Sequence, residues 1–143
     1  MDVTATLDAP YPPEAVFAWV GDLDRYPAWL DIVPRATADG EGGWLVDLRG
    51  RLGPLARSKR LRMVRVALDS PRHVRFERSE LDGRRHSSWV LEAEVAATAE
   101  GSRLTMHLHY GGSLFGPVLE RLLHDEIDRS RQRLLDRLAL DAA

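Results

Sequence analysis

At 143 residues the chain is long enough for one domain with a sizeable core. Its 44% hydrophobic and 29% charged residues exclude a disordered chain, and a net charge of −2 gives no pull toward nucleic acid or an anionic membrane surface. The lack of cysteine excludes disulfides, thiolate metal sites and a cysteine nucleophile. No apolar run approaches the roughly 18 residues of a membrane span, and the opening MDVTATLDAP, acidic at Asp2 and without an apolar core, is not a signal peptide. These features point to a cytoplasmic protein.

Asp2 to Ala9 alternates Val3, Ala5 and Leu7 with Thr4, Thr6 and Asp8, the pattern of a half-buried strand. Pro10, Pro12 and Pro13 then punctuate the chain, and Pro13 to Val20 places Val16, Phe17 and Val20 on one face of a short helix ending near Gly21. Asp22 to Pro34 is dense in aromatics and prolines, and Pro27 allows a second short helix before the chain extends again. Ile32 to Asp39 and Trp44 to Leu52 flank a glycine-rich turn and form a predicted hairpin, with a further turn at Gly53-Pro54. Lys59 to Leu68 is a strand whose alternation changes phase between Met63 and Val64, through either a bulge or burial on both faces. His73 to Glu80 and Arg85 to Val95 flank Asp82-Gly83, which predicts a type I′ turn. In the last strand, Arg103 to Tyr110, the residues Leu104, Met106, Leu108 and Tyr110 face one way and Thr105, His107 and His109 the other.

Gly116 to Leu140 reads as one long amphipathic helix. Pro117 suits its first turn, and Leu119, Leu122, Leu123, Ile127, Leu134 and Leu138 make one apolar stripe. At about 22 residues it would be about 33 Å long and needs a large partner surface. The order is therefore strand, two short helices, six strands in meander and a long helix. Short links make the sheet antiparallel, with one face on the helix, in a single domain spanning 1–143.

A two-residue turn at Asp82-Gly83 would set Phe76 opposite Trp89, Val74 opposite Leu91 and Arg78 opposite Ser87, all on the helix-facing side. Arg78, Glu80 and Ser87 then either orient an amphipathic ligand at one end of an apolar interior or reach solvent at a hairpin tip. Phe76, Trp89, Met106 and Tyr110 form an inward aromatic and thioether set, either core or the wall of a hole. Glu126 and Ser130 interrupt the helix stripe. A buried Glu126 could work as a general acid or base; alternatively it pairs with Arg78 or another inward arginine, or lies exposed at the stripe's edge. Ser130 leaves room for a ligand or for closer approach of the sheet. On the outer face His73 lies opposite Glu92, near His107 or His109, a row that reads as solvated rather than metal-binding. Arg49, Arg51, Arg57, Lys59, Arg60 and Arg62 likewise read as a solvated strand pair.

The segment PPEAVFAWVGDLDRYPAWLDIVPRA resembles the helix, Pro-x-Trp turn and strand entry that open members of the polyketide cyclase/dehydrase and lipid-transport family, within the START-like or Bet v 1-like (SRPBCC) superfamily. Pro13, Val16, Trp19, Tyr26, Pro27 and Trp29 carry the likeness. It implies an α+β helix-grip fold: a seven-stranded antiparallel sheet wrapped around a long C-terminal helix, with two short helices between strands 1 and 2 and a cavity inside. Members of that family variously bind lipids, quinones, polyketides or hormones, some catalyse cyclisation or dehydration, and a subset resembles bacterial toxin components. The expectation is a carrier or binding domain for a small hydrophobic ligand, with a cyclase or dehydratase and a toxin-like interaction module as alternatives. The ligand-binding set is Phe76, Arg78, Ser87, Trp89, Met106, Tyr110, Glu126 and Ser130. No catalytic residue is assigned, and no metal, cofactor or nucleic acid is called for; a protein partner or homodimer is left open.

Overall fold

The chain begins with β1 (Asp2–Ala9), whose alternation holds as read: Val3 and Ala9 are buried while Asp2, Thr4, Thr6 and Asp8 are exposed. The structure, a computed structural model, describes residues 2–52, 55–111 and 116–143, with side chains for all of these except 50–52, 55–58 and 116–123. Pro13 opens α1 (Pro13–Phe17), where proline's fixed φ suits the first turn. A 3-10 helix, Leu23–Ala28, follows, with Pro27 inside it. The strands are β2 (Arg35–Ala38), β3 (Gly43–Leu52), β4 (Leu55–Asp69), β5 (His73–Arg78), β6 (Trp89–Thr98) and β7 (Gly101–Tyr110), and α2 (Gly116–Ala142) closes the chain. The predicted Gly53-Pro54 turn lies outside the described residues.

All pairings are antiparallel, in a seven-stranded sheet of order β1-β7-β6-β5-β4-β3-β2. The helix α2 packs against both β1 and β3. In a flat sheet those strands would stand about 24 Å apart at the usual strand spacing. A helix only about 10–12 Å across touches both because the sheet curls around it. Leu134 and Leu138, each 1% exposed, seat the helix in the concave face.

The segment between β1 and β2 closes the side of this grip. Val16, Val20, Leu23, Tyr26 and Trp29 are buried there, and each ring's polar tip is bonded. The Tyr26 hydroxyl donates to the Val20 carbonyl (2.9 Å) and Trp29 Nε1 to the Trp19 carbonyl (3.0 Å). Trp19 Nε1 donates to Asp141 near the end of α2 (2.8 Å), while Arg133 pairs with Asp31 and Arg137 donates to the Ala28 carbonyl (3.3 Å). Burial pushes the Tyr26 phenol far up from its ordinary value, with Asp22 adding to the effect. Of the residues behind the family resemblance, Trp19 thus ties the segment to α2, while Tyr26 and Trp29 lock the segment itself.

Two registers differ from expectation. The phase change in β4 is a bulge, but at Val66, between Arg65 and Ala67, rather than at Met63 and Val64. Arg65 there reaches the Gly21 carbonyl (2.8 Å) and Asp22 (2.7 Å). The β5–β6 pairing sets Phe76 opposite Leu91 and Val74 opposite Ala93, two residues from the expected partners. Only Gly83 of the Asp82-Gly83 pair has positive φ, so the type I′ turn is not formed. Residues 79–88 instead make a longer loop, shaped by Asp82 accepting from the Arg84 N–H (3.0 Å) and from His86 (2.8 Å). A slip of two preserves side-chain parity, so the predicted inward face survives.

Candidate functional site

Between α2 and the concave face of the sheet lies a pocket of about 160 Å³. Strand alternation builds its walls: Val3, Ala5 and Leu7 from β1, Leu104, Met106 and Leu108 from β7, Trp89 and Leu91 from β6. Leu61 and Met63 of β4 and Val46 and Leu48 of β3 continue the curve, and Leu23, Trp29, Leu30, Ile32 and Val33 close its side. From α2 come Glu126, Ile127, Ser130, Arg131 and Leu134, spaced to share one helical face. The volume is close to that of the engineered cavity of about 150 Å³ that stays dry and accepts benzene.

Few polar groups enter this wall. Ser130 is 3% exposed, and its hydroxyl donates within the helix to the Glu126 carbonyl (2.6 Å). Arg131 donates to the Thr6 carbonyl of the β1 edge (2.9 Å) and to Asp128 (2.6 Å). Glu126 accepts from Arg129 at Oε1 (2.8 Å), while its Oε2 is buried without a partner among the described residues. Trp89 packs on Tyr110, ring centroids 4.7 Å apart and tilted by 42°, and its Nε1 is also buried without a partner among the described residues.

The expected site residues separate into two groups. Trp89, Met106, Glu126 and Ser130 line the pocket. Phe76, Arg78, Ser87 and Tyr110 are not among its described lining residues. Phe76 is 0% exposed and sits in the core with its ring edge-on to Tyr26 and Trp44. Tyr110 backs Trp89 and is its register partner. Arg78 binds Glu80 (3.0 Å) and donates to the Ser87 carbonyl (3.2 Å) and hydroxyl (3.3 Å), stapling the 79–88 loop although the strands are not paired there. The arginine partner expected for Glu126 is therefore Arg129, one helical turn away, and not Arg78.

Sequence reasoning assigned no ligand role to Val3, Ala5 and Leu7, although their alternation marked them as one face. It placed Lys59 with the solvated basic residues, and Lys59 is exposed. Lys59 shares strand parity with Leu61 and Met63, and its Nζ lies 6.0 Å from the centre of the Trp89 ring. Partial burial, then the nearby Arg78 charge, lowers its pKa, with Glu80 opposing. Arg60 does behave as a solvated-strand residue, paired with Asp47 (2.8 Å), whereas the Arg62 side chain is largely buried between Asp39 (3.1 Å) and the Ser79 carbonyl (3.0 Å).

Glu80 supplies a pH-dependent part of the stability. Burial pushes its pKa up, but the Arg62 backbone N–H, the Arg78 guanidinium and His86 together outweigh burial and hold it below its ordinary 4.5. A depressed carboxylate stabilises the fold above its unfolded pKa and loses that contribution as pH falls through the folded value. Glu80→Gln should therefore be less stable than wild type at pH 7. The gap should close as pH drops below about 4.5, read from urea unfolding at stepped pH.

On the outer face, His73 Nε2 lies 2.6 Å from Glu92 Oε2, with Arg75 3.8 Å from the same oxygen. Glu94, not Glu92, is the register partner of His73, the same two-residue slip seen inside. His73, Glu92 and Glu94 could gather about a cation, but the Arg75 charge already shares Glu92. The arrangement reads as a cross-strand ion pair.

A curled antiparallel sheet gripping one C-terminal helix defines the helix-grip class of START and Bet v 1-like domains. The chain belongs to the polyketide cyclase/dehydrase and lipid transport family, whose description matches residues 1–141. Solved structures show the same fold at low identity. A Thermus thermophilus protein matches at 18% identity and a TM-score of 0.73, covering 100% of both chains. A START superfamily protein from Mycobacterium smegmatis matches at 14% and 0.72, covering 97% of each, and a Chromobacterium violaceum protein at 13% and 0.71, covering 96% of each. Comparison with curated proteins returns no match. Among the described residues no helix is long and apolar enough to cross a membrane.

Proposed function

We propose that the chain binds and carries a small hydrophobic or amphipathic molecule in the pocket between the sheet and α2. The observation that carries this reading is a hole of about 160 Å³, walled by aliphatic and aromatic side chains, between α2 and the concave face of the sheet. Left empty, a cavity of that size would cost up to about 4 kcal/mol on the scale of core truncations. An apolar occupant removes that cost by making the missing contacts. The reading agrees with the family, and with the helix-grip design in which sheet and helix form two separable walls.

Toluene is the simplest probe. Titration should give saturable shifts of the indole N–H resonances of the pocket-lining Trp89 and Trp29, with those of Trp19 and Trp44 far less affected, and a rise in thermal midpoint with toluene concentration. No saturable response up to the solubility limit would sink the proposal. Native mass spectrometry of the protein as purified would identify a natural occupant by the mass lost on denaturation.

A further inference from the structure

We infer that the hole selects for bare hydrocarbon: the part of the natural ligand held between the sheet and α2 is an unoxygenated ring or compact alkyl group, either a free hydrocarbon or the end of a longer molecule. The inference rests on the pocket reading above and adds the chemistry of the enclosed part.

Among the described residues around the hole, Thr6, Trp29, Trp89, Glu126, Ser130 and Arg131 have a nitrogen or oxygen in the side chain, yet no polar atom reaches the surface of the hole. Thr6 is exposed and out of phase with Ala5 and Leu7 along β1, so its hydroxyl belongs to the outer face. Ser130 donates back to the Glu126 carbonyl (2.6 Å), and Arg131 is drawn to the Thr6 carbonyl and Asp128. Trp29 donates to the Trp19 carbonyl, and Glu126 Oε1 accepts from Arg129. Trp89 Nε1 and Glu126 Oε2 are covered by neighbouring atoms, so neither is open to an occupant. The backbone is committed as well. The strands that form the walls bond to one another in antiparallel ladders, β1 with β7, β7 with β6 and β3 with β4, which leaves side chains to project inward.

Each polar atom that enters such a space leaves water and finds no partner. A hydroxyl moved from water into a medium that cannot hydrogen-bond loses far more than one moved into octanol, which can. A charged group loses more again. A lone water molecule does not offset that loss, because it needs about two to four polar partners of its own. Hydrocarbon gives up no hydrogen bond on entry and gains contacts with Leu91, Leu104 and Met106. The volume, close to that of a cavity known to take benzene, limits the enclosed part to about one ring. A phenol, quinone or polyketide ring can therefore enter only with its oxygens left at the rim.

The test compares p-xylene, p-cresol and hydroquinone, which share one shape and differ only in whether each end of the ring carries a methyl or a hydroxyl. Affinities are measured on the full chain by the Trp89 and Trp29 resonances and by calorimetry. The preference for p-xylene over hydroquinone should exceed the ratio of their octanol–water partition coefficients by about tenfold or more, because octanol supplies the hydrogen bonds that the wall does not. Hydroquinone cannot turn both ends to the rim, whereas p-cresol can turn its one hydroxyl outward and so tells the two sources apart. A preference for p-xylene over p-cresol that stays near the partition ratio assigns the hole to the apolar end of a longer molecule. An excess of about tenfold or more there too assigns it to a free hydrocarbon, wholly enclosed. A hydroquinone penalty less than about tenfold above the partition ratio would overturn the inference and leave the hydrophobic pocket standing, since a group in the hole would then be bonding a hydroxyl. Failure of p-xylene to bind would remove the pocket reading and this inference with it.

Discussion

Phe76→Ala should cost about 3–5 kcal/mol, a large part of the roughly 5–15 kcal/mol that holds a domain of this size together. Phe76 is 0% exposed at the middle of the sheet. Its ring meets Trp44 edge-on at 5.5 Å and Tyr26 at 6.3 Å, so truncation removes both aromatic contacts as well as the buried area. Backbone hydrogen bonds on both sides of β5 keep the neighbouring strands from collapsing into the gap. Urea unfolding should show a lower midpoint with an unchanged slope, and the thermal midpoint should fall by about 10 °C or more. A loss under about 1 kcal/mol would mean that the site relaxes, contrary to a closely packed centre.

Ala5→Phe should have the largest effect on ligand uptake, weakening toluene binding by about 100-fold or more. Ala5 lines the pocket from β1, where a benzyl group has the reach to occupy a space of about 160 Å³. Because the new ring enters a hole rather than a filled core, stability should hold or rise by about 0.5–2 kcal/mol, as for other cavity-filling changes. Retained binding would place the ligand elsewhere. A stability loss of about 1–3 kcal/mol would show that the region is already full. The two substitutions thus separate core from pocket: Phe76→Ala is read in stability and Ala5→Phe in binding.

This separation is also where sequence reading reached its limit. Alternation along Leu104, Met106, Leu108 and Tyr110 identified the inward face of β7, and the aromatic-rich segment around Trp19, Tyr26 and Trp29 pointed to the helix-grip fold. The seven-stranded antiparallel sheet and C-terminal helix followed. Periodicity reports which face a residue occupies, but not where two facing walls touch and where they part. Phe76 and Met106 therefore looked alike in sequence, yet Phe76 is packed solid and Met106 borders the hole. The register slip has a similar origin. Asp82-Gly83 carries the composition of a two-residue turn, but the Arg78–Glu80–Ser87 contacts hold a wider loop that no local rule encodes. Glu126 stood out only as a break in an apolar stripe, and its Arg129 partner follows from helical spacing that was legible from the start.

The braces on α2 have a mechanical consequence. The polar ties described between this helix and the rest of the chain, from Thr6 to Arg131, Asp31 to Arg133, Ala28 to Arg137 and Trp19 to Asp141, all lie beyond Glu126 toward the C-terminus. Among the described residues these ties fix the C-terminal half of α2 to β1 and to the segment before β2. Glu126 lies about 7.5 Å along the helix from the nearest of these ties, at Arg131, so the position of its carboxylate over the hole follows that of the β1 edge strand that Arg131 holds.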